Sequence, residues 1–94
     1  MPDVTFTCEC PQSVVNLQIS QAQDRNNVTS ITCQQSGSRT VPLPSGLHDV
    51  GYRVQGTAGT SYSVVATGAA LAPPIGGAIP ANGVDAGVSG LNVP

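Results

Sequence analysis

Cys8, Cys10, Cys33 and His48 are the only soft-ligand residues in this 94-residue sequence. Thiolates and an imidazole grouped in fours can hold structural zinc, but such sites usually place two to four residues between paired cysteines and then repeat the pair. Here "CEC" leaves a single residue between Cys8 and Cys10, and no second pair follows. Two other states compete with metal. A buried free thiol behaves as a small hydrophobic side chain, and Cys33 can bridge to Cys8 or to Cys10. A bridge between Cys8 and Cys10 themselves is disfavoured, because both belong to one extended segment and the torsion about S–S has a narrow range. Alternation puts all three thiols on a core-facing side. The expectation is therefore core thiols first, one disulfide from Cys33 to Cys8 or Cys10 second, and no metal or other cofactor.

Nucleophilic catalysis needs a base within reach of a Cys, Ser or Thr. His48 is the one histidine, and Asp49 follows it directly. Neighbouring residues of a strand point to opposite faces, so Asp49 is badly placed to orient His48, which is read as an exposed residue at a strand start. The acids Asp3, Glu9, Asp24, Asp49 and Asp85 stand apart in sequence, without the local pairing that would suggest acid–base work. Neither "GTAGTS" nor "IGGAIPANG" lies between a strand and a helix, the context in which a glycine loop cradles phosphate. "NVT" at Asn27 to Thr29 matches the N-glycosylation acceptor pattern and is read as turn chemistry. No catalytic residue is assigned, and the chain is expected not to be an enzyme.

The composition narrows the partners. Charged residues make up 9% of the chain, against ~25% in ordinary soluble domains. With three Arg, no Lys and net charge −2, no basic patch is present to neutralise phosphates, and nucleic-acid binding is not expected. An uncharged surface opposes association weakly. No apolar run is long enough for a transmembrane helix. The start "MPDVTFTCECPQ" has neither a basic residue nor an apolar run, so no secretory signal is expected within it; cytoplasmic synthesis and a mature exported form both fit.

The elements that must position these residues alternate with period two, the signature of half-buried strands. Val4, Phe6, Cys8 and Cys10 share one face, and Pro11 ends the segment. Val15, Leu17 and Ile19 alternate with Asn16, Gln18 and Ser20. The polar "QAQDRNN" reads as a connection. Thr29, Ile31 and Cys33 form a third face, and "TVPLPSG", with prolines at 42 and 44, reads as an edge strand or an extended linker. "GYRVQGTAGTSYSVVATG", residues 51 to 68, reads as a hairpin with Tyr52 and Tyr62 paired on one face.

The last 26 residues are rich in Gly, Pro and Ala, yet half of them are Ala, Leu, Ile or Val and Asp85 is the only charge. Disordered segments have the opposite balance. The spacing of Leu71, Ile75, Ile79, Val84, Val88 and Leu91 predicts an extended, partly polyproline-like arm that docks these side chains into grooves.

The sum is an all-β chain. Residues 1–68 are expected to form a small antiparallel β-sandwich, Ig-like or barrel-like, of five or six short strands. Residues 69–94 are expected to form an extended non-helical arm. A core of ~70 residues is marginal by itself, so the leading functional expectation is a non-catalytic module for protein assembly or partner binding. The arm, through the six apolar residues just named, docks on its own domain or on a neighbouring subunit; a homo-oligomer is the simplest form. The alternative is a carbohydrate or small-ligand module using the polar loops 21–27 and 34–39, led by Asp24, Arg25, Asn26 and Asn27. A third class, a small enzyme or redox protein, would use the cysteines.

Overall fold

A computed structural model describes residues 2–22 and 24–94; the side chains of Asp24 and Arg25 lie outside the described residues. Among the described residues the chain forms β1 (Asp3–Glu9), β2 (Ser13–Gln21), β3 (Asp24–Gln34), β4 (Gly37–Pro42), β5 (Gly46–Gly56), β6 (Ser61–Thr67), β7 (Ala70–Ala72), β8 (Ile75–Ala78) and β9 (Val84–Val93), with no helix. Two antiparallel sheets result, one in the order β4-β1-β6-β8 and the other β3-β2-β5-β9-β7.

The alternation read from the sequence sets the inner faces. β1 contributes Val4, Phe6 and Cys8, β2 contributes Val15, Leu17 and Ile19, and β5 contributes His48, Val50 and Val54, all buried. Ile31 and Cys33 of β3 and Tyr62 and Val64 of β6 join the same core. β4 is an edge strand ending at Pro42, as expected of a proline-bearing segment whose missing N–H cannot feed an interior ladder.

Three features differ from the expectations. First, residues 51–68 do not close a hairpin. β5 and β6 are consecutive but belong to different sheets. The backbone groups of the connection are satisfied by the C-terminal residues instead: Gly56 N–H donates to Gly83 O at 3.0 Å, Gly59 N–H to Ile79 O at 2.8 Å, and Ile79 N–H to Thr60 O at 2.9 Å. Each tyrosine accordingly finds a glycine as its cross-strand neighbour, Tyr52 opposite Gly87 and Tyr62 opposite Gly77. The Tyr52 ring occupies the space over Gly87, where an added Cβ would collide with the ring. Second, "QAQDRNN" is largely strand: β3 begins at Asp24, with a register irregularity between Ser20 and Gln21 on β2. The glycosylation-like triplet therefore lies within β3 rather than in a turn. Third, His48 is buried, because position 48 falls on the inward row of β5; its Nε2 donates to Pro44 O at 2.8 Å, which satisfies the ring in the core.

Residues 69–94 enter both sheets. The chain passes from β6 to β7 in the opposite sheet, back to β8 beside β6, and then to β9, which pairs with β5 from Gln55↔Val84 to Gly46↔Val93. The arm thus lies against its own body as hydrogen-bonded strands rather than as a polyproline-like strip. Glycine between its apolar residues rules out a stable helix but leaves the extended backbone free to pair. Of the six apolar residues, Ile75, Ile79 and Leu91 are buried, Leu71 and Val84 are half-buried, and Val88 is 70% exposed.

Candidate interaction surface

The two sheets present four edges, and three of them are blunted. β7 has three residues and runs into Pro73, β8 has four and lies between Pro74 and Pro80, and β4 carries Arg39 and ends in Pro42. Short length, proline and charge are the devices by which edge strands avoid pairing with another chain. β3, at 11 residues, has none of them beyond its first two positions: residues 26–34, "NNVTSITCQ", contain no charge, proline or glycine. Its partner β2 covers one side, and among the described residues no strand covers the other. β9 also has an uncovered stretch at residues 84–89, because β7 reaches only Gly90 to Asn92. That stretch is shorter and contains Asp85 and Gly87.

The outer face beside β3 is nearly uncharged. Asn16 and Gln18 of β2, Ser30 and Thr32 of β3, and Arg53 of β5 surround a shallow hollow of about 390 Å³. Gly51 has no side chain to fill it. Thr32 Oγ1 donates to Asn16 Oδ1 at 2.9 Å across the two strands. Val28 and Val88, 48% and 70% exposed, flank a second depression with Gln18, Ser20, Asp49 and Gly51. Burying the exposed valines is favourable, whereas the amides and hydroxyls around them cost free energy on desolvation unless a partner hydrogen-bonds them.

The chain matches no family model, no curated protein and no solved structure.

The residues singled out for sugar binding do not converge. Asn26 and Asn27 sit near the start of β3, whereas residues 34–39 leave its far end. Seven residue steps at ~3.3 Å each put Asn27 about 23 Å from the start of the second loop at Gln34. The side chains of Asp24 and Arg25 lie outside the described residues. Asn27 does line a small recess with Gln21, Thr29, Leu43 and His48.

All three cysteines are buried free thiols. Burial pushes the Cys8 thiol far above its ordinary range, and the adjoining Cys33 and Cys10 thiols push it further. Among the described residues no cluster of His, Cys, Asp and Glu has the geometry to hold a metal ion.

Tyr62 and Asp85 form the polar link between the sheets at the β6–β9 end. The phenol donates to Asp85 Oδ2, while Asp85 Oδ1 accepts from Ala86 N–H at 3.0 Å. The sequence held no signal for this pair, since 23 positions separate the two residues. Burial, followed by the hydrogen bond to Asp85 and its charge, raises the Tyr62 phenol well above its ordinary value. The folded value exceeds the unfolded one, so this contribution is complete below about pH 10 and is lost as pH rises toward the folded value. The Cys8 thiol, also raised, adds a decline of the same sign. We expect denaturant stability to fall above pH 10, and Tyr62→Phe to flatten that fall. The same variant should cost about 1–3 kcal/mol near pH 7, because Asp85 loses its donor. Urea titrations at pH 7 and pH 10.5 on both proteins check the pair of effects; parallel pH profiles would separate Tyr62 from the alkaline loss.

Proposed function

We propose that this chain is a non-catalytic β-sandwich module for protein assembly, and that β3 is the strand through which it pairs. The observation that carries this reading is the contrast among the edges: β3 alone is long, free of proline and uncharged over nine successive residues. Strand addition at such an edge supplies a row of main-chain hydrogen bonds, and the flanking side chains set the register. The partner we infer is a second copy of this chain. Antiparallel pairing of β3 with itself is a closed two-fold contact. A two-fold at Ser30 sets Val28 of each copy against Thr32 of the other, a β-branched pair of the kind that stabilises sheets. No like charges meet, and the outer faces join into one ten-stranded surface.

The test is the native mass of the full chain by light scattering across a concentration series. The expected mass is about twice 9.4 kDa. Ser30→Lys with Thr32→Lys, both at exposed positions of β3, should return it to the single-chain mass without changing the circular dichroism, because the two lysines at position 30 then face each other across the two-fold and each lysine at position 32 faces Val28. A single-chain mass for the unaltered protein up to millimolar concentration would rule out self-pairing.

A second reading, binding of a glycan or another small polar ligand, is supported by the hollow at Asn16, Gln18, Ser30, Thr32 and Arg53 rather than by the loops at the two ends of β3. Backbone NMR shifts confined to those residues on sugar addition would favour it over assembly.

A further inference from the structure

The chain crosses from one sheet to the other between β3 and β4. Gln35 and Ser36 make the crossing with φ of 54° and 73°, a left-handed pair that turns the backbone sharply. Cys33 stands just before the crossing, on the inner face of β3. Gly37 stands just after it and is the register partner of Cys8 on β1. The turn therefore brings Cys33, from the five-stranded sheet, toward Cys8, from the four-stranded one. Both are 1% exposed, and the Cys33 thiol is the neighbouring group that bears most strongly on Cys8.

Cys10 is occupied differently. Its Sγ accepts from Ser36 N–H at 3.2 Å and donates to Cys33 O at 3.9 Å, and its own N–H donates to Ser36 Oγ at 2.9 Å. These contacts hold the Cys10 sulfur against the crossing backbone.

We propose that Cys8 and Cys33 form a disulfide joining the two sheets, leaving Cys10 as the remaining thiol. The oxidant is a small-molecule disulfide such as oxidised glutathione. One protein thiolate attacks it, breaking its S–S bond and releasing one thiol. The second protein thiol then displaces the other half from the mixed disulfide. The protein loses two electrons and two protons, and the oxidant leaves as two thiols.

Thiol–disulfide exchange requires a thiolate and access to it, and the finished sandwich denies Cys8 both. The bridge therefore forms while the chain folds, before the sheets close over it. The bridge closes a loop of about 25 residues in the unfolded chain, which raises the melting temperature by about 10 °C or more.

The full chain, unfolded and reduced, is refolded in a glutathione redox buffer, and peptide mapping by mass spectrometry is done without reduction. The expected product is two mass units lighter, has one alkylatable thiol at Cys10, and gives a cross-linked peptide pair containing Cys8 and Cys33. The native reduced protein in the same buffer should react at least tenfold more slowly. Three alkylatable thiols after refolding, glutathione adducts alone, or a link that includes Cys10 would each overturn the proposal. The mapping uses the unaltered chain, so no variant has to fold. Cys10→Ser is a second check and should leave the Cys8–Cys33 link in place.

Discussion

A chain ending at Gly68 should not fold. Removing residues 69–94 takes away β7, β8 and β9. β9 is an interior strand, paired with β5 along its length; without it β5 becomes a bare edge and the inner face of its sheet lies open. Ile75, Ile79, Leu91 and Val93 are almost completely buried. At ~1.5–3 kcal/mol for each large apolar side chain, their loss removes about 6–12 kcal/mol, as much as the whole net stability of a typical domain. The β5–β6 connection also loses the carbonyl and amide partners it finds at Ile79 and Gly83. The expected outcome is a 1–68 fragment with no cooperative thermal transition and narrow amide dispersion in its NMR spectrum, beside a full chain that melts cooperatively. A fragment that melts cooperatively near the temperature of the full chain would mean that the last three strands decorate the core rather than complete it.

The second large effect lies in the opposite sheet. Phe6 is the one phenylalanine of the chain and is fully buried at the middle of β1, between Arg39 on β4 and Ala66 on β6. Aromatic rings dominate small cores because they carry the most area per residue, and this core otherwise consists largely of Val, Leu, Ile and Cys. β-sheet backbones held by ladders on both sides collapse poorly around a void. Phe6→Ala should therefore cost about 3–5 kcal/mol, transfer and cavity effects together, which lowers the melting temperature of a domain of this size by roughly 12–25 °C. Phe6→Leu, which keeps most of the volume, should cost much less. Urea midpoints for the three proteins, with unchanged slope, check the ordering. Equal losses for Ala and Leu would point to the ring's shape rather than its volume.

The two predictions differ in how visible they were before the structure. Phe6 was legible as core from the alternation Val4, Phe6, Cys8 alone, because period two in a strand is a local property of the backbone. The same reasoning found the inner row of β2, one of the two readings of "TVPLPSG", the edge strand, and the inward position of all three thiols. It also found that the tail is too apolar to stay in water. It did not find β7, β8 and β9. Their glycines and prolines hide the alternation, and their partners are far away in sequence.

Composition and local periodicity by themselves determined that this is an all-β chain with little charge, and which side of most strands faces inward. Tertiary structure decided which strands are neighbours. Residues 51–68 have the local grammar of a hairpin, yet β5 and β6 go to different sheets, since the connection's backbone is satisfied by Ile79 and Gly83 instead of by its own flanks. His48 is inside because it shares the inward row of β5 with Val50 and Val54, and the Pro44 carbonyl accepts the hydrogen bond from its ring. Pairing free energy depends on contacts made by segments remote in the chain, and no window of sequence contains both partners.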